Sequence, residues 1–103
     1  MPRVVITAAA DADASTIFDE LYVSAGKPTV VKYRSSFKAL YGHLAIFPDS
    51  GAPRPGIGQG IRIGIVTPYV VVYRHVQPDD IVTILRIVHG RRRITGKLLR
   101  AGS

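Results

Sequence analysis

Residues 61–93 constrain the possible folds of this chain more than any other stretch. They read IRIGIV, TP, YVVVYRHV, QPDD and IVTILRIVHGRRR, so β-branched and aromatic runs alternate with short groups of turn formers. That is the composition of consecutive strands joined by tight connections. A strand sends alternate side chains to opposite faces. Ile61, Ile63 and Ile65 therefore oppose Arg62, Gly64 and Val66; Tyr69, Val71 and Tyr73 oppose Val70, Val72 and Arg74. In the last run, Ile81, Thr83, Leu85 and Ile87 oppose Val82, Ile84, Arg86 and Val88. Each run has one apolar face carrying a single arginine, which predicts a common sheet face bearing Arg62, Arg74 and Arg86.

Such a meander needs a cover, and the first half of the chain supplies one. Residues 3–8 alternate and predict a short first strand. Asp11, Asp13 or Ser15 is expected to cap the helix that follows. Ala14, Ile17, Phe18, Leu21, Tyr22 and Ala25 recur at helical spacing and draw its apolar stripe. Gly26 provides the stop and Pro28 prevents continuation. A second helix is predicted from Pro28 or Thr29 to Pro48, burying Val30, Tyr33, Phe37, Leu40, Tyr41, Leu44 and Phe47. The short GKP link makes the pair an antiparallel hairpin.

Residues 48–60, PDSGAPRPGIGQG, form a Gly/Pro loop long enough to suggest a role of its own. GIGQG follows a loop and precedes a strand, the reverse of a dinucleotide cradle, so that reading is rejected. Residues 94–103 make a basic C-terminal tail, either a short turn of helix or a frayed end. The predicted order is β-α-α-β-β-β in a single domain over residues 1–103. This is an α+β fold, with an antiparallel α-hairpin packed on one face of a small, mainly antiparallel twisted sheet. The other sheet face is expected to stay open and cationic, and an apolar face of that size calls for a partner chain.

Charge points the same way. The formal net charge is +7 and the acids cluster early, at Asp11, Asp13, Asp19 and Glu20. From Ile81 onward there are Arg86, Arg91, Arg92, Arg93, Lys97 and Arg100 and no acid. This suits a polyanion or an acidic protein, and equally a solvated, solubilising end. No run is long and apolar enough to span a membrane, and residues 1–10 read as a structural element rather than a signal peptide. The absence of cysteine excludes disulfides and thiolate metal sites and fits a cytoplasmic protein. His43, His75 and His89 lack metal-ligand spacing, and Ser35 and Ser36 lack a paired base. No metal or cofactor is expected.

The run PDSGAPRPGIGQGIRIGIVTPYVVVYRHVQPDDIVTILRIVHGRRRI resembles the ParE/RelE superfamily of toxins from bacterial type II toxin–antitoxin pairs. The features that carry the resemblance are the Pro-x-x-Gly loop, the Arg62 strand, the tyrosines at Tyr69 and Tyr73, and Ile-Leu-Arg-Ile-Val-His-Gly before a basic cluster. The first half is similar in element order rather than in motif. The resemblance implies a toxin held in a hetero-oligomer by a cognate, ParD-like ribbon-helix-helix antitoxin, with operator DNA reached only through that antitoxin. The ParE branch implies inhibition of DNA gyrase by protein binding. The RelE branch implies ribosome-dependent mRNA cleavage. A non-toxic homologue acting in operon autoregulation is the third alternative. The Val-His-Gly ending is closer to ParE.

Residue by residue, the resemblance makes Arg62, Arg86 and His89 the candidate nuclease set. RNA cleavage needs acid–base groups and cations converging on one site. The loop offers Arg54 but no lysine, which weakens that reading. Arg91, Arg92 and Arg93 are candidates for target binding, and Arg62, Tyr73, Arg74 and Arg86 for antitoxin binding. Each has a plainer alternative. Arg62 and Arg86 would pair with acids such as Asp49 or Asp79, and His89 would bond to backbone. Tyr69 and Tyr73 would pack in the core with a hydroxyl at its edge, and the arginine cluster would be merely solvated.

Overall fold

The computed structural model describes residues 2–101. Thr7 turns the first strand, β1 (Arg3–Ile6), straight into helix α1 (Ala8–Ala25). Its Oγ1 accepts a hydrogen bond from the Ala10 N–H at 3.1 Å and donates to the Leu85 carbonyl at 3.1 Å. Thr7, rather than Asp11, Asp13 or Ser15, is therefore the cap. A threonine at the strand end captures an otherwise free first-turn N–H, and the alanines after it are the best helix formers, so the helix begins a turn early. Gly26 ends α1 at φ 85° with its N–H shared between the Leu21 and Tyr22 carbonyls. Helix α2 (Lys27–Ile46) starts at the next residue.

The loop after α2 contributes a two-residue strand, β2 (Ala52–Pro53), and the meander follows as β3 (Ile61–Val66), β4 (Tyr69–Val76) and β5 (Ile81–His89). A final short helix, α3 (Gly96–Ala101), occupies most of the tail. The sheet order is β1-β5-β4-β3-β2, with β1 parallel to β5 and every other pair antiparallel. Among the described residues no helix is long and apolar enough to cross a membrane.

The α-hairpin covers one sheet face. Phe37 and Leu44 of α2 and Ile17 of α1 pack with Val71, Tyr73, Val82, Ile84 and Ile87. Phe18 meets Phe37 edge-on, and Tyr33 meets Tyr69 likewise. Gly64 is a socket for this layer: a Cβ there would stand 3.0 Å from Leu40 Cδ2. Tyr22 and Phe47, expected on the buried stripes, are 62% and 56% exposed. They sit in or just past the last helical turns, where packing on the sheet has stopped.

The other face, the front, is not open. Ile61, Val70, Val72 and Val88 are buried under Leu98 of α3, with Ile57 of the loop and Ile94 of the tail packed alongside. The expectation of a bare, cationic front is overturned. Two short segments close it from within the chain, each turning an apolar side chain onto the sheet: Ile57 from the loop, and Ile94 and Leu98 from the tail. A β-bulge adds to the departure. Val72 pairs with Arg86 but Tyr73 pairs with Ile84, leaving Leu85 without a partner. The extra residue shifts the alternation, so Val82, Ile84 and Ile87 share the helix side while Leu85 and Val88 lie in front.

Candidate functional site

The three strand arginines do not share a face. Arg62 lies across from Tyr73, whose side chain belongs to the helix-side core. Arg74 lies across from Ile61 and Arg86 across from Val72, both front residues. The pairing of β3 on β4 puts Arg62 behind the sheet, and the bulge brings Arg86 forward, so the common cationic face does not form.

Arg62 organises the turn after α2. Its Nη1 donates to the Asp49 and Gly51 carbonyls, each at 2.8 Å, and its Nε stands 3.5 Å from Asp49 Oδ1. Tyr73 completes the anchorage: its hydroxyl donates to the Pro48 carbonyl and accepts from the Gly51 N–H, both at 2.9 Å. Its backbone environment leaves no room for a larger residue at position 51, because an added Cβ would collide with that hydroxyl and with the Ile63 carbonyl. Burial pushes the phenol pKa up, against the opposing pull of the Gly51 hydrogen bond. Tyr73, expected at an antitoxin contact, has no exposed surface. It is a core residue with a hydroxyl at the core's edge.

Arg86 joins three elements. Its Nε and Nη2 donate to the two carboxylate oxygens of Asp13 on α1, at 2.7 and 2.9 Å, and its Nη1 donates to the Leu98 carbonyl of α3 at 3.0 Å. Such fork-to-fork pairing is the strong geometry for an arginine and a carboxylate. Asp13 also accepts from the Ile87 N–H at 2.9 Å, satisfying β5 beyond the end of β1. The two side chains are only 13% and 16% exposed. The Asp13 hydrogen bonds raise the guanidinium pKa further, so the charge is permanent. The internal partner is Asp13, not Asp49 or Asp79.

The remaining candidates are more exposed. Arg74 donates from Nε to the Gln59 carbonyl at 3.3 Å. His89 accepts from the Arg91 N–H on Nδ1 at 3.1 Å and stands edge-on to Tyr69 at 6.0 Å. Arg91, Arg92 and Arg93 are exposed, and among the described residues no ion pair holds their side chains. Arg62, Arg86 and His89 do not converge. The β4 partners of Arg62 and His89, Tyr73 and Tyr69, are four residues apart, about 13 Å at roughly 3.3 Å per residue. Arg86 lies on the opposite side and is committed to Asp13 and the Leu98 carbonyl.

Sequence reasoning missed Asp13 as a partner and missed His75 with its acids, Asp49 and Asp80. The available signal for His75 was its position on a strand face otherwise filled by core residues, where a polar group has to be satisfied. Asp13 lies 73 positions from Arg86 and carried no such signal.

A family model described as the ParE toxin of the type II toxin–antitoxin system, parDE, matches residues 4–94. The chain belongs to this family. Toxin ParE3 of Caulobacter vibrioides is 29% identical over 98 residues, covering 95% of this chain and 96% of that toxin. The solved chromosomal ParDE toxin–antitoxin system from P. aeruginosa gives a TM-score of 0.71 at 25% identity, covering 86% of this chain and 96% of that one. The β-α-α-β-β-β core of this ParE-family toxin, extended by β2 and α3, is thus a fold with a solved counterpart.

Proposed function

We propose that this ParE-family toxin acts in the cytoplasm as a non-enzymatic inhibitor of DNA gyrase, held inactive by a cognate ribbon-helix-helix antitoxin. The observation that carries the reading is the internal commitment of Arg62 and Arg86 to Asp49, Gly51, Asp13 and Leu98. A nuclease needs cations free to hold a phosphate and an acid–base group beside them. Here Arg62 and Arg86 are spent on the fold, while Arg91, Arg92 and Arg93 are exposed. Those three form the proposed target contact, where an exposed basic cluster accelerates association with an acidic surface. The solved relative is a toxin–antitoxin system, which supports an antitoxin as the resident partner. Arg74 is the exposed strand cation assigned to that contact, with Arg62 and Arg86 holding the surface in shape behind it.

The test is induction of the chain without its neighbouring reading frame, with plasmid supercoiling and double-strand breaks followed through growth arrest. Purified toxin is expected to block supercoiling by gyrase in vitro and to lose that effect when the antitoxin is added. Arrest with gyrase fully active, and new codon-phased ends on mRNA, would replace this reading with ribosome-dependent cleavage.

A further inference from the structure

Among the described residues His75 is the buried ionisable group flanked by two acids. Its side chain is 2% exposed. Nδ1 stands 2.7 Å from Asp49 Oδ1 and Nε2 stands 2.9 Å from Asp80 Oδ1. A neutral imidazole carries one N–H and one lone pair. Facing two carboxylate oxygens, it would set that lone pair against a negative charge. Only the imidazolium donates to both.

The two acids belong to different segments. Asp49 lies in the turn after α2, and Asp80 closes the β4–β5 connection at φ 52°, a left-handed conformation that a non-glycine residue adopts at some cost. The His75 backbone N–H also donates to the Gly60 carbonyl at 3.1 Å. One residue of a central strand therefore fastens both ends of the loop 49–60 and the neighbouring turn. Nearby residues add few competing charges. From β3, Arg62 shares Asp49 Oδ1; the β5 residue opposite His75 is Val82, and the β1 residue beyond that is Val4.

We propose that His75 is a proton-dependent latch: protonated, it clamps the loop 49–60 and the β4–β5 turn to the sheet, and on losing its proton it releases one of them. Loss of the proton leaves a single N–H for two carboxylates. The loop carries Ile57, which packs in the front cluster beside Leu98, so release at Asp49 also loosens the cover of that face. Burial alone would lower the ring's pKa, but the hydrogen bonds and charges of Asp80 and Asp49 outweigh it and the pKa is raised. The clamp is thus fully present below the ordinary histidine value of about 6.5 and is lost as pH rises through the raised value.

The experiment is a pH titration of the full chain by NMR, reading the His75 ring nitrogens and the protection of loop amides together. Both ring nitrogens are expected to be protonated at neutral pH. Protection factors of the Gly51 and Arg54 amides, which donate to Tyr73 and to the Ile61 carbonyl, should then fall by about tenfold per pH unit as the ring begins to lose its proton. The Val72 amide, in the middle of the sheet, should hold its protection over the same range. Asp80→Asn and Asp49→Asn should each lower the His75 pKa and shift the loss of loop protection to lower pH with it. A neutral ring at pH 6 overturns the proposal. So does loop protection that ignores pH in the wild-type chain, or loop and Val72 protection falling in step, which would mean global loosening without a latch.

Discussion

The two faces of the sheet are built from the same kind of strand and closed in different ways. Behind, helices of 18 and 20 residues lay Ile17, Phe37 and Leu44 over the strands. In front, a six-residue helix and a loop place Leu98 and Ile57 over Ile61, Val70 and Val72. A helix as short as α3 is marginal by itself, so its place depends on the face it covers. The back is a core assembled from long elements, whereas the front is covered by a loop residue and one short helix. The lesson is that an apolar strand face announces the need for a cover without saying whether a partner or the chain's own tail provides it.

Asp13 ties the two layers together, so its removal is the strongest way to break the contrast. Asp13→Ala leaves a mostly buried Arg86 without its carboxylate and frees the Ile87 N–H, and should cost about 3–5 kcal/mol in urea unfolding. A loss under about 1 kcal/mol, the range of a surface pair, would mean that the two layers are not joined there. Leu44→Ala, at 1% exposure in the back layer, should cost about 2–5 kcal/mol through the cavity it opens. Leu98→Ala, at 6% exposure in the front, should cost less, about 1–2 kcal/mol, because α3 can shift to fill the gap. If hydrogen exchange in Leu98→Ala rises only over α3 and residues 57–63, the front is a separate, weaker unit. If Leu98→Ala equals Leu44→Ala, the two faces form one cooperative core. Charge reversal at Arg91, Arg92 and Arg93 should leave stability within about 0.5 kcal/mol while weakening the proposed salt-dependent association with gyrase. Unchanged association by surface plasmon resonance would reduce the cluster to a solubilising patch.

Much of this was legible beforehand, for identifiable reasons. Gly26, Pro28 and the stripes through Phe37 and Leu44 follow local rules, and the hairpin and meander came out in the predicted order. The helix start was misplaced because Asp11 and Asp13 outnumber Thr7 as capping candidates, and only the structure shows that Asp13 serves Arg86 instead. The alternation in β5 was read without its bulge because an inserted leucine among apolar residues leaves no compositional trace. The front cover was unreadable for a related reason: KLLRA is too short to show a stripe. Those three gaps all bear on Arg86, whose contacts with Asp13 and Leu98 and whose place opposite Val72 depend on them.

The unpaired Leu85 gives β5 two opposite rules of parity. Before it, even-numbered residues such as Val82 and Ile84 belong to the helix side and odd Thr83 tolerates a polar atom; after it, odd-numbered Ile87 faces the helices and even-numbered Arg86 and Val88 lie in front. Among relatives of this toxin, excising that single leucine would leave every later residue on its present face, because Ile84 and Arg86 already stand opposite adjacent residues of β4. Drawing the leucine into the ladder opposite Val72 would instead turn Arg86 towards the helix side and take the guanidinium from Asp13, with no partnered residue changed.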